Sequence, residues 1–187
     1  MRLKSLYYLI IIISFLSCQN QTNKHIDKFE NILGKTNTDA LNLLVSDFED
    51  NLEKVYPDLS LQKAYEQYLK DLINPKETNW KKFKFQTKKT HSEFIKSGLK
   101  DEIYFTSREY VPEKNDTLFI LHFNRFGKYM EALYAIKESD SLIFEYWDKK
   151  EAAGNMQDEL VVDGILNSKP NFDNYFHKRI VIIEYSY

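Results

Sequence analysis

His25, His91, His122 and His177 are the side chains best suited to hold a metal or move a proton, and their spacing assigns them neither task. No two stand four residues apart, so the His-Glu-x-x-His geometry of a zinc hydrolase is missing. His122 lies inside an apolar run, where a hydrogen-bonded histidine at the core or a sheet edge is the simpler reading. Acids cluster at Asp47/Glu49/Asp50, Asp101/Glu102 and Asp158/Glu159. Glycoside hydrolysis needs two carboxylates roughly 5–10 Å apart across a cleft, whereas most of these acids read as solvated faces of helices. The chain has only 5 glycines, which leaves no phosphate-cradling loop, dinucleotide fingerprint or Gly-x-Ser-x-Gly elbow. No catalytic residue, metal site or cofactor is therefore assigned.

One segment has a less common pattern. Lys76–Lys89 carries six lysines and one acid, Glu77, with Trp80, Phe83 and Phe85 among them. Asp39–Asp58 is its complement, with six acids and one lysine, Lys54. Lys81, Lys82 and Lys84 could thus contact an anionic surface such as lipid headgroups. The competing reading sends the aromatics into the core while the lysine stems reach outward, toward the acidic helix. Phe176-His177-Lys178-Arg179 is a second place where an anion could be met.

The elements that would position these residues are mostly helices. Leu41, Leu44, Val45, Phe48, Leu52, Val55 and Tyr56 follow a 3.6-residue period, with Thr38 as the expected N-cap. Leu61, Ala64, Tyr65, Tyr68, Leu69, Leu72 and Ile73 repeat the pattern, capped by Ser60 or Asp58 and stopped at Asn74-Pro75. The short connector makes them an antiparallel helical hairpin, and a weaker helix over Ile26–Leu33 precedes them. Thr90-His91-Ser92-Glu93 reads as a capping box opening a short helix that Gly98 closes. Glu102–Ser107 fits helix and strand equally. Thr117–Phe123 predicts a strand, Lys128–Glu138 a helix, and Ser139 or Ser141 the cap of a further helix ending at Ala153. The rival for that last helix is a strand at Leu142–Trp147. Asp158–Leu166 predicts a helix, and Arg179–Tyr185 predicts a second strand beside Thr117–Phe123.

The N-terminus has a different character. Arg2 and Lys4 precede an apolar stretch, Leu6–Leu16, of eleven residues, well short of the roughly 20 that span a bilayer. A polar run, Gln19–Lys24, follows the single cysteine, Cys18. The order resembles a bacterial lipoprotein signal peptide. That family places Leu, a small or aliphatic residue, and then Gly, Ala or Ser before its cysteine. Ser17 matches, Leu16 is compatible, and Phe15 stands where Leu is usual. The resemblance implies cleavage before Cys18, a diacylglycerol thioether on its sulfur and an acyl chain on its amine. An ordinary cleaved signal with an incidental cysteine is the alternative. The rest of the chain resembles only uncharacterised small envelope lipoproteins of Gram-negative bacteria.

With residues 1–17 removed, 24 basic groups face 28 acidic ones, too mild a balance to suggest nucleic acid. Scarce Gly and Pro and abundant aromatics, 13 Tyr and 13 Phe, favour one helix-dominated α+β domain over a turn-rich β-sandwich. The expected organisation is a signal peptide over 1–17, a lipidated tether over 18–24 and a globular domain over 25–187. That domain holds the helical hairpin and a small sheet from the C-terminal half. The expected function is a binding or assembly module anchored by Cys18 to the inner or outer membrane and facing the periplasm, with an envelope protein as partner. An envelope hydrolase whose carboxylates converge in the fold, and a tethered protective protein, are the alternatives.

Overall fold

The computed structural model describes residues 22–186; Cys18 and the expected cleavage point lie outside them. The fold is helix-dominated α+β, with one two-stranded antiparallel sheet in the C-terminal half. Among the described residues no helix is long and apolar enough to cross a membrane.

Helix α1 spans 22–33, so the last three residues of the expected tether are already helical. Gly34, at φ 87, breaks the helix for one residue, and α2 (Lys35–Val55) starts at once. Only glycine takes that backbone conformation cheaply. The chain therefore re-enters a helix without a capping side chain, and Thr38 is not the N-cap expected of it. It is buried inside the first turn of α2, next to Asn37, whose side chain donates to the Leu33 carbonyl at 3.0 Å. Helix α3 (Leu61–Leu72) follows with Ser60 at its N-cap position and packs on α2 as the expected hairpin. Phe48 seals the seam, edge-on to Tyr68 at 4.8 Å and tilted against Tyr65 at 5.2 Å.

A single turn of 3-10 helix, Trp80–Phe83, leads to α4 (Lys88–Lys96). Its cap is Thr87, one turn before the expected Thr90: the Thr87 hydroxyl accepts the Thr90 amide at 3.2 Å. The choice is fixed from outside the motif, because Asp47 of α2 accepts the Thr87 amide at 2.7 Å. Helix α5 (Leu99–Ile103) passes directly into β1 (Tyr104–Val111), which resolves the ambiguous segment into a helix end and a strand. Strand β1 pairs in register with β2 (Asp116–Phe123), Tyr104 opposite Phe123 and Val111 opposite Asp116.

Helices α6 (Lys128–Ile136) and α7 (Ser141–Ala153) follow. The cap of α7 is Asp140, not a serine: its carboxylate accepts the amides of Leu142 at 2.8 Å and Ile143 at 3.3 Å. Ser139 instead donates to the Ile136 carbonyl at 2.6 Å, closing the preceding turn.

After α8 (Asp158–Asn167) the chain ends in α9 (Tyr175–Glu184), where a strand was expected. The Arg-Ile-Val-Ile-Ile run has strand propensity, but a short apolar run buried on every side shows no period to separate strand from helix. Phe176, His177 and Arg179 through Ile183 are all buried. The Asn174 side chain accepts the Phe176 amide at 2.8 Å and starts the helix. The flank of β2, where the run was expected, is not open to it either. One edge of β2 is taken by β1, and Asn155 closes the base of the other, accepting from Phe123 N–H at 2.7 Å and donating to Leu121 O at 2.8 Å.

Candidate functional site

The concavity with the most chemical content lies where α3, the 3-10 turn, α4, α8 and the end of α9 meet. It is a cleft of about 630 Å³, within the range of small-molecule sites. Helix α3 contributes Tyr68 and Leu72; the 3-10 turn and the extended residues after it bring Trp80, Phe83, Lys84, Phe85 and Gln86. Asp158 opens α8 at the rim, and Glu184, Tyr185 and Ser186 close the far side.

Aromatic contacts hold this shape. Phe83 meets Tyr68 edge-on at 5.1 Å and Trp80 at 5.5 Å, while Tyr185 lies 6.4 Å from Tyr68. Phe85 is buried against Phe48 at 4.9 Å, which ties the cleft to the α2–α3 seam. Trp80 remains 55% exposed. Gln86 is fixed at both ends: its amide donates to the Ser186 carbonyl, and its oxygen meets His91 Nδ1 at 3.1 Å.

Two polar atoms at the cleft have no partner among the described residues. The hydroxyls of Tyr68 and Tyr185 are buried without a hydrogen bond to any protein group. Burial, together with the nearby carboxylates, pushes both phenols well above their ordinary range and keeps them protonated. An unsatisfied buried hydroxyl costs about 1–3 kcal/mol, so two at one cleft are an unusual concentration. Among the described residues Asp158 makes no ion pair, and desolvation, then the charge of Glu159, raises its carboxyl above the ordinary range against the opposing charge of Lys150. Glu184 differs: it is committed inward, to the Lys150 ammonium at 2.5 Å and the Tyr146 hydroxyl at 2.8 Å.

The three lysines singled out in the sequence separate here. Lys84 reaches the cleft and Lys81 faces solvent. Lys82 turns back, bonding Asp71 at 2.6 Å and also Glu77, and only 11% of its side chain is exposed. Phe83 and Phe85 pack inward as the competing reading had it, but the acids that Lys82 meets lie in α3 and its following turn rather than in α2. The Phe176–Arg179 cluster is likewise spent internally. Lys178 pairs with Glu49 at 2.9 Å, and the Arg179 guanidinium lies 3.4 Å over the Tyr175 ring.

The histidines do not gather, and among the described residues no three His, Cys, Asp or Glu side chains could hold a metal together. His177 accepts the Asn171 amide at 3.0 Å through Nδ1 and places Nε2 3.0 Å from Asp140. His122 meets the Ser107 hydroxyl at 2.7 Å across the β-hairpin. This is a nucleophile–base contact in form, found on a projecting hairpin away from the cleft, where the His122 ring stacks on Phe105 at 5.0 Å. Among the described residues no carboxylate bonds the imidazole to orient it, as one does in a triad.

Sequence reasoning found Trp80, Phe83 and Lys84 as an unusual segment but missed Tyr68, Tyr185 and Asp158 as their neighbours. Tyr68 and Asp158 read as parts of helices and Tyr185 as the end of a strand that is in fact a helix, and nothing local marks that five segments converge. No protein-family model matches the chain, and no match was found among curated proteins or solved structures.

Proposed function

We propose that the chain is a lipid-anchored protein of a bacterial envelope whose globular part is a binding module, with the aromatic cleft as its receptacle. The observation that carries the binding reading is the cleft itself. Its aromatic walls are rigidly packed and its buried hydroxyls lack partners, as in a site that a ligand completes. Preorganisation of this kind lowers the ordering cost that binding would otherwise incur. A hydrolytic reading has one contact in its favour, Ser107–His122, but that pair lies apart from the cleft and lacks the third member of a triad.

The anchor rests on the resemblance at Cys18. One acyl chain holds a protein to a bilayer only marginally, and two or more make the attachment stable. Lipidation of the amine as well as the sulfur therefore fits a module held permanently at a membrane, with its cleft free to meet envelope components. Metabolic labelling with a palmitate analogue tests this directly. The parent is expected to take up label and fractionate with membranes, and Cys18→Ala to do neither. An unlabelled parent in the soluble fraction overturns the anchor and leaves the cleft to be tested separately.

A further inference from the structure

We propose that the cleft binds an alkylammonium group, its stem lying along Trp80 and Phe83 and its head meeting Asp158 and the hydroxyls of Tyr68 and Tyr185. The proposal rests on reading the cleft as a receptacle and names the chemistry that would fill it. Three observations lead to an ammonium, and a fourth is neutral to it. The walls are aromatic faces, which attract cations through the ring quadrupole. Asp158 at the rim makes no ion pair among the described residues, and Lys150, whose charge acts on it, is already held by Glu184. The Tyr68 side chain is wholly buried, yet its hydroxyl and that of Tyr185 are unpartnered among the described residues, so a head group that reaches past the packing around them meets both a lone pair and an O–H. Glu184 adds a negative charge behind the wall, although Lys150 already balances it.

The head is a primary ammonium because its N–H groups can be shared between a carboxylate and two phenolic oxygens, whose own O–H groups stay free to donate. An ammonium offers three N–H groups, and the cleft offers a carboxylate and two phenolic oxygens. A quaternary ammonium would satisfy the ring faces and leave both hydroxyls stranded. Lys84 at the lining opposes any cation, and this makes its removal informative. The ammonium could belong to a small amine or to a lysine side chain in a polypeptide; the cleft chemistry is the same for both.

The test uses the full chain in detergent, labelled with 5-fluorotryptophan. There are 2 tryptophans: Trp80 reports the cleft, and Trp147, packed 5.1 Å from Tyr134, serves as internal control. The fluorine signal of Trp80 is followed while 1,5-diaminopentane, capped Gly-Lys-Gly, 1,5-pentanediol or p-cresol is added. A saturable Trp80 shift is expected from at least one amine, with the diol at least about tenfold weaker because it lacks the charge-assisted bonds. The amine that binds more tightly identifies the source.

Asp158→Asn should weaken amine binding by about tenfold, and Lys84→Gln should tighten it severalfold, both effects shrinking in salt. Neither residue is in the core, so folding is retained. Equal binding of diol and amine, or indifference to both substitutions, overturns the proposal. A Trp80 shift with p-cresol but with neither amine rejects the ammonium and keeps the receptacle. No shift with any probe rejects both.

Discussion

Phe48 and Phe119 are both aromatic residues in the middle of regular elements. Phe48 is fully buried at the α2–α3 seam beneath the cleft, while Phe119 on β2 is 66% exposed. Around Phe48 the rings of Tyr65, Tyr68 and Phe85 lie within 5.2 Å. Around Phe119 the ring contact is the Arg108 guanidinium across the strand pair, at 5.4 Å. The hairpin exposes Phe105 and Tyr110 on β1 and Leu118 and Phe119 on β2. A two-stranded sheet is marginal on its own, so this one depends on what holds its base. The turn after β2 approaches α5 so closely that a side chain at Gly127 would collide with the Glu102 carbonyl. Asn155 fixes Leu121 and Phe123 from the other side. Similar aromatic content thus serves a concave, core-backed site in one region and a projecting, base-clamped one in the other.

Lys150 and Glu184 join the two regions. Glu184 lines the cleft, and the Lys150 ammonium it bonds lies 4.6 Å over Phe123 at the hairpin base. Lys150 is only 2% exposed. Glu184→Ala should be the most damaging single change, costing about 3–5 kcal/mol for the stranded buried charge. The Tyr146 hydroxyl loses its acceptor in the same step. Urea unfolding measures the cost, and hydrogen exchange should show loosened amides at the cleft and hairpin base together. Loosening confined to one region would mean that the pair does not couple them.

Phe48→Ala against Phe119→Ala sharpens the same contrast. The first opens a cavity among rings and should cost about 3–5 kcal/mol. The second removes an exposed side chain and should stay within about 0.5 kcal/mol. Equal losses in unfolding midpoint at unchanged slope would show that Phe119 is buried in solution, for example against another molecule.

The contrast also explains what the sequence disclosed. Helices α2 and α3 were legible because each is half-buried, so their apolar residues recur at helical spacing. Helix α9 was not legible because burial on all sides erases the period, leaving β-branched propensity to suggest a strand. The caps of α2, α4 and α7 shifted because neighbouring residues competed for the role. Gly34 made a cap unnecessary, Asp47 selected Thr87, and Asp140 outcompeted Ser139, which had found the Ile136 carbonyl. The cleft was half legible. Trp80, Phe83 and Lys84 share one short segment and stood out, whereas Tyr68, Asp158 and Tyr185 reach it only through the packing of α3, α8 and α9.

Two aspartates near the cleft should respond to acid in opposite directions, and this is the smallest effect expected. Burial works against the Asp71 carboxylate, but hydrogen bonds from Lys82, Tyr56 and Gln67 overcome it and hold its pKa below the ordinary 3.8. Its contribution is present above 3.8 and fades as pH falls through the folded-state value. For Asp158, desolvation and then Glu159 raise the pKa above 3.8, outweighing the opposing charge of Lys150. Between 3.8 and that raised value the folded state binds more protons than the unfolded state, so this group makes stability fall as pH rises. Asp158→Asn removes only the second dependence. The stability of the parent relative to this variant should therefore decline as pH climbs from below 3.8, and then level off. Denaturant midpoints taken in steps across that range read the difference directly. A parent that instead gains on the variant as pH rises would mean that Lys150 or another cation outweighs the desolvation of Asp158 in the free protein, and the cleft would then have no unpaired carboxylate to offer an ammonium.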